Sequence, residues 1–210
     1  MYKYIKRFLD IIFSGLGLLL LSPVFLICAL IIKITSKGPI FFIQKRVGFN
    51  SAVFSIIKFR TMDDAINCQT DKDENRLTKI GKVLRSTSID EIPQLINVLK
   101  GDMSFIGPRP LPVQYLEWYT EEENKRHSVR PGISGLAQVN GRNSITWKDK
   151  FYFDLNYVNN LSLKLDIIIL IKTLKKVLRR SDIIVRGNNF GEEDFDKVRR
   201  KEREILNEYK

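Results

Sequence analysis

The polar and apolar positions divide the chain into an uncharged N-terminal run, a middle stretch of short alternating segments, and helical patterns towards the C-terminus. Ile11 to Ile32 (IIFSGLGLLLLSPVFLICALII) carries no charge. As a helix it would be about 33 Å long, enough for a bilayer core of about 30 Å. Ser22-Pro23 lies at its middle. A proline there removes one helical hydrogen bond and clashes with the preceding turn, so the pattern predicts helix, break, helix. The carbonyl freed near Leu19 needs a new donor, and the Ser22 hydroxyl is within reach in sequence. Further on, IFFIQ and VFSIIKF read as two strands around a turn at Gly48-Phe49-Asn50, a β-hairpin. Met62 to Lys79 is polar and acidic and reads as a helix end followed by a loop. Gly81 to Lys100 is helical in pattern but interrupted at Ser86-Thr87-Ser88. Pro93 fits the first turn of a helix, so its second half should start near Ser88 to Asp90, with Ser88 and Glu91 as a capping box and Gly101 as the stop. Residues 102–112 cannot be regular helix, Leu111 to Arg126 is expected as helix, and Arg130 to Asn143 as a glycine-rich loop. After Gly187 the chain is strongly charged, helical or frayed.

Charge refines this picture. Lys3, Lys6 and Arg7 precede the uncharged run, and Lys33, Lys37, Lys45 and Arg46 follow it. Basic residues on both sides give a spanning helix no orientation but suit a re-entrant hairpin with both ends on the cytoplasmic side. A kinked spanning helix is the alternative. No small-x-small cleavage site follows, so the run is expected to be retained. Leu161 to Arg180 mixes apolar residues with Lys164, Lys172, Lys175, Lys176, Arg179 and Arg180; it suits either a basic helix lying in the headgroup layer or a core helix with a solvated face. The formal net charge of +11 calls for anionic partners: acidic lipid, phosphorylated substrate or nucleic acid. No recognition-helix or RNA-binding signature accompanies it, and nucleic acid is not expected. Cys28 and Cys68 make neither a disulfide framework nor a metal pattern, and the single histidine, His127, cannot build a zinc site alone. Asp71-x-Asp73 has the spacing of a metal motif but also that of an ordinary solvated loop.

Two groups of residues could carry chemistry. Asp90-Glu91 stands at an expected helix start, where free N–H groups and the dipole favour ionised carboxylates, as a nucleophile or metal ligand requires. Capping is the commoner reason for such a pair, and alone it would explain this one. Lys58, Arg60, Arg85, Arg109 between Pro108 and Pro110, and Arg142 beside Gly141 form a basic set in loops. Guanidinium groups grip phosphates with paired hydrogen bonds, prolines can hold Arg109 rigid, and glycines let backbone amides approach a phosphate. Together the groups suggest a multiply phosphorylated ligand, with a divalent cation beside the carboxylates.

The stretch STSIDEIPQLINVLKGDMSFIGPRP (Ser86 to Pro110) closely resembles the core of the bacterial sugar transferases, the small monotopic phosphoglycosyl transferases. Ser22-Pro23, KFRTM (Lys58 to Met62) and RPGISGLAQVNGRN (Arg130 to Asn143) are similar in the same order, from about Lys6 to about Arg180. The resemblance implies transfer of a sugar-1-phosphate from a UDP-sugar to undecaprenyl phosphate with release of UMP, the first membrane step of a surface or glycoprotein glycan. It implies Asp90 as nucleophile, forming a phosphosugar-aspartyl intermediate, Glu91 as second carboxylate, Mg²⁺ as the metal held by Asp90 and Glu91, and Arg109 with Pro108 and Pro110 at the nucleotide end. Lys58, Arg60, Arg85 and Arg142 would contact substrate, and Ser22-Pro23 would be the re-entrant break. The implied fold is mostly α with a small β-hairpin (α+β): a monotopic protein with a re-entrant membrane segment over residues 1–37, a catalytic domain with interfacial helices over 38–186 and a charged tail over 187–210. Its implied place is the bacterial inner membrane, active site at the cytoplasmic face against anionic lipid. Ile89, Ser134 and Ser51 stand where relatives often carry Leu, Thr and Gly. The 130–143 stretch is similar to short relatives using N-acetylated or bacillosamine-type donors. Neither the sugar nor the oligomeric state, a homo-oligomer included, is otherwise readable. A transferase moving only the sugar would release UDP instead, and polytopic phosphoglycosyl transferases need more membrane segments than this chain offers.

Overall fold

The computed structural model describes residues 1–63, 77–141, 145–179 and 194–208. The uncharged run forms α1 (Tyr2–Leu20) and α2 (Ser22–Thr35), bent by 60° at Leu21. Pro23 offers no N–H to Leu19, and the Ser22 hydroxyl donates to that carbonyl at 2.8 Å, as the sequence suggests. Among the described residues no single helix is long and apolar enough to cross a membrane; the bent pair is, by length and composition. Much of its apolar surface is open, including Phe8, Phe13, Leu19, Leu26 and Leu30. One face is not. Gly17 lets α1 close on Leu95, where a Cβ would stand 3.2 Å from that side chain. Cys28 and Ile32 of α2 are buried against Phe59 and Leu84.

The hairpin joins β1 (Phe41–Val47) to β2 (Val53–Phe59), antiparallel with Phe41 opposite Phe59 and Val47 opposite Val53. Asn50 and Ser51 turn it with φ of 50° and 60°. That left-handed backbone is one that glycine adopts with least strain. The amide of Asn97 stands in for a third strand: its Nδ2 donates to the Ser55 carbonyl at 2.8 Å, and its Oδ1 accepts from the Ile57 N–H at 3.1 Å.

Helix α3 (Lys79–Ser86) starts two residues earlier than the pattern suggests because Thr78 caps it, accepting from the Gly81 N–H at 2.9 Å. The interruption falls where expected, with Ser88 left-handed at φ 58°. A 3-10 turn (Ile89–Glu91) then leads through Pro93 into α4 (Gln94–Lys100), and Gly101 ends it at φ 98°. The expected capping box does not form. Ser88 makes no capping bond, and the Glu91 carboxylate turns to Lys58 instead.

Two other expectations are corrected, while residues 102–112 are, as expected, not regular helix. The 102–112 segment contains β3 (Ser104–Ile106), parallel to β4 (Gly132–Ser134) inside the expected glycine-rich loop, which also holds α6 (Leu136–Asn140). Gly107 and Gly132 allow this crossing, since a Cβ on Gly132 would lie 2.1 Å from the Gly107 nitrogen. These two glycines serve backbone packing rather than approach to a phosphate. Leu111 to Arg126 is not one helix. It is a 3-10 turn (Val113–Trp118) and α5 (Glu121–Asn124), restarted by a Thr120–Glu123 capping box, with a further 3-10 turn at Lys125–Ser128.

Helices α7 (Trp147–Asn159) and α8 (Leu163–Arg179) follow. Asp166 of α8 is buried, takes the Lys6 ammonium at 2.6 Å, and meets the Tyr2 and Tyr157 hydroxyls. Ile169 packs in the core with Leu165 against it, whereas Ile167, Ile168, Leu170, Ile171 and Leu174 face out, so much of the apolar surface of α8 is open. The final helix, α9 (Phe195–Glu208), buries Phe195 among Tyr115, Tyr119, Trp147 and Phe151. Replacing Ser51 with glycine should relieve the left-handed backbone and stabilise the fold by up to about 1 kcal/mol. A thermal melt would read this as a higher Tm; a lower one would show that the Ser51 hydroxyl, 3.3 Å from Asn124 Oδ1, outweighs it.

Candidate active site

Asp90 and Glu91 share the 3-10 turn, but their environments differ. Glu91 is paired: Lys58 Nζ, near the end of β2, lies 2.5 Å from its Oε1, and Arg109 Nη2 lies 3.8 Å from the same atom. Asp90 is only 8% exposed and makes no hydrogen bond or ion pair with any described residue. Burial and the neighbouring Glu91 charge push its carboxyl up to about 6, against the pull of Lys58, Arg85 and Arg109. This corrects the expectation from helix position. The carboxylates open a single 3-10 turn, not an α-helix, and desolvation outweighs whatever dipole remains.

The cations reach the site from separate parts of the chain. Lys58 comes from the hairpin that Asn97 pins to α4. Arg85 comes from the last turn of α3, its Nε donating to Thr61 Oγ1 at 2.9 Å. Arg109, about half exposed, projects between the buried Pro108 and Pro110. Arg60 does not join them. It is 4% exposed and donates to the Lys37 carbonyl at 2.6 Å and to the Ser36 carbonyl and hydroxyl at 3.0 and 2.6 Å. A substrate contact is thus replaced by a task of tying the end of α2 to the hairpin. Arg142 lies outside the described residues, as do Cys68, Asp71 and Asp73. Ser22 and Pro23 sit at the α1–α2 break. His127 is buried and held neutral, its ring pushed down to about 3 by burial and Arg126. Sequence reasoning passed over Thr61 and Asn97. Both lie within matched motifs, but neither carries a charge to draw notice.

Among the described residues no group of three or more His, Cys, Asp or Glu could hold a metal. The two adjacent carboxylates nevertheless suit Mg²⁺, which takes one or two protein carboxylates and completes its shell with water and substrate phosphate. The unpaired, buried Asp90 is the observation that favours this, because a divalent cation would offset its repulsion by Glu91.

Comparison with known proteins decides the family. The family profile described as bacterial sugar transferase matches residues 1–180. The chain belongs to the bacterial sugar transferase family. It is 46% identical over 176 residues to an uncharacterised sugar transferase, EpsL, of Bacillus subtilis, covering 83% of this chain and 87% of that one. It is 44% identical over 184 residues to a UDP-glucose:undecaprenyl-phosphate glucose-1-phosphate transferase of Klebsiella pneumoniae. It is 42% identical over 187 residues to a UDP-N-acetylgalactosamine-undecaprenyl-phosphate N-acetylgalactosaminephosphotransferase of Aeromonas hydrophila. These matches cover 81% and 84% of this chain but only 39% and 44% of the relatives. In this bacterial sugar transferase the Asp90 site falls wholly within the matched region, and α9 lies beyond it.

The raised Asp90 carboxyl has a consequence for stability. It holds its proton more tightly folded than unfolded, so its contribution is lost as pH rises from about 4 through about 6. Asp90→Asn should therefore stabilise the protein at pH 7.5, on the order of 2–3 kcal/mol, and much less at pH 4. Thermal melts at the two pH values would show this, and an equal effect at both would contradict it.

Proposed function

We propose that the protein transfers a sugar-1-phosphate from a UDP-sugar to undecaprenyl phosphate in two steps, with Asp90 as nucleophile. The observation that carries this reading is the asymmetry of the two carboxylates. Glu91 takes Lys58 and Arg109, while Asp90, unpaired among the described residues, stands within the field of three cations. A carboxyl near 6 is mostly ionised at neutral pH yet still desolvated, which suits a nucleophile. In the first step an Asp90 oxygen attacks the β-phosphorus. The bond from that phosphorus to the bridging oxygen breaks, and UMP leaves with the electron pair. In the second step a phosphate oxygen of the lipid attacks the same phosphorus, and the Asp90 carboxylate is restored. Lys58, Arg85 and Arg109 offset phosphate charge. Mg²⁺ held by Asp90 and Glu91 would supply further charge neutralisation to the diphosphate. The names of related proteins include glucose and N-acetylgalactosamine phosphate donors, so they do not choose the sugar.

The membrane arrangement belongs to the same reading. The bent α1–α2 pair enters and leaves one face of the bacterial inner membrane, and the open apolar side of α8 lies in the headgroup layer on anionic lipid. The soluble donor then meets the lipid phosphate at the cytoplasmic face. Cysteines at positions 3 and 37 should both be shielded from an impermeant reagent outside intact cells. Labelling of one and not the other would mean a spanning helix. Pro23→Ala should move some molecules to that state, since it removes the clash and restores an N–H.

The chemistry is tested without lipid. Enzyme and UDP-sugar alone should release UMP in a burst of at most one equivalent, and intact mass should rise by one phosphosugar. Asp90→Asn should abolish both, and Glu91→Gln should slow the burst severely while leaving some adduct. Direct attack by the lipid phosphate in a ternary complex predicts neither UMP nor adduct without lipid.

A further inference from the structure

A buried ion pair stands behind Arg109. Arg126, in the 3-10 turn Lys125–Ser128, is 2% exposed, and Asp154 of α7 is 3% exposed. Arg126 donates to Asp154 Oδ2 through Nε at 3.0 Å and Nη2 at 2.7 Å. The rings of Tyr119 and Phe151 each lie 5.9 Å from the guanidinium carbon. Burying two charges is costly, and well-packed apolar residues of the same volume often stabilise a core as well or better. Stability alone therefore gives this pair no reason to be here. Its geometry offers another, because Nη2 also donates to the backbone carbonyl of Arg109 at 2.8 Å.

That bond falls where Arg109 retains freedom. The prolines on either side fix their own φ angles, and the Pro108 carbonyl is held by the Gly132 N–H at 3.0 Å. Pro110 has no N–H, so the peptide that follows Arg109 can be held only through its carbonyl. The preceding-proline rule limits Arg109 to extended backbone but leaves its peptide plane tens of degrees of play. Arg126 removes that play, and Asp154 with the two aromatic rings keeps Arg126 from turning away. At the end of a long side chain, a small rotation of the peptide displaces a guanidinium by ångströms.

We infer that Arg126, oriented by Asp154, is a positioning residue that aims the Arg109 guanidinium at the diphosphate of the donor. The inference rests on the proposed role of Arg109 at that donor. A Lys at 126 keeps the charge for Asp154 but lacks the planar fork that meets the carboxylate and the carbonyl together.

The test is a double-mutant cycle on the full-length membrane protein, reading KM for the UDP-sugar and kcat by UMP release with lipid present. Arg126→Lys should raise the donor KM about tenfold with kcat little changed, the size of one lost charge-assisted contact. In an Arg109→Ala background the same change should alter KM less than about twofold. Asp154→Asn, a milder change, should follow the same non-additive pattern. As a readout free of activity, the Arg109 side-chain N–H resonance should broaden in Arg126→Lys. Equal KM effects with and without Arg109 would overturn the positioning role and leave a core ion pair. An Arg109→Ala enzyme with unchanged KM would instead overturn the reading of Arg109 at the donor, and the single variant identifies that failure by itself.

Discussion

The ion pair between Lys58 and Glu91 is the contact on which the arrangement of the site depends. It joins a β-strand to a 3-10 turn, and Arg109 reaches the same carboxylate from a third segment. With Glu91 so occupied, the adjacent Asp90 is left buried and, among the described residues, without a partner. In the proposed reaction Asp90 attacks a phosphate, which is easier for a carboxylate without a salt bridge of its own, yet it needs cations near enough to tolerate the incoming charge. Two consecutive acidic residues, one paired and one not, meet both demands. The cost is a desolvated carboxyl whose affinity for a proton rises.

Holding Lys58 in place requires more than the hairpin itself, since two strands alone are marginal in water. Asn97 gives β2 the hydrogen bonds of a missing neighbour, and it does so from α4, the helix that follows the acidic turn. Arg60 binds the other side of the hairpin to the end of α2. Cys28 and Ile32 pack on Phe59 there, so the bent apolar pair and the acidic turn are fixed to one another through two residues of β2 and the arginine after it. A change in the bend would be transmitted to Lys58 by packing, not through a flexible linker. The Asp166 node does the same for α8, tying it to the first turns of α1.

Features set by local chemistry were legible in the sequence. Ser22-Pro23 predicts both the break and the hydroxyl that answers it, alternation predicts the hairpin, and Gly101 predicts where α4 stops. Features set by distant partners were not. Ser88 and Glu91 have the spacing of a capping box, but Lys58, 33 residues away, takes the carboxylate. Arg60 looks like its neighbour Lys58 in the KFRTM motif, and only the path of Ser36 and Lys37 reveals its different task. The three-residue strands β3 and β4 are too short to show alternation, and they pair only because two glycines let their backbones touch. The raised Asp90 carboxyl could not be read from helix position, because burial is a property of the folded chain. The acidic pair and the set of cations were visible as types, and resemblance gave them an order; which cation meets which carboxylate came from the structure.

The central claim is that Asp90 is left free so that it can form a bond to phosphorus before the lipid arrives. Isotope exchange tests it most directly, since it needs neither the acceptor nor net turnover. Labelled UMP, unlabelled UDP-sugar and enzyme are mixed without polyprenyl phosphate, and label is followed into the UDP-sugar. A covalent Asp90 step that releases UMP reversibly predicts steady exchange that Asp90→Asn abolishes. Exchange that appears only when polyprenyl phosphate is added would contradict the account.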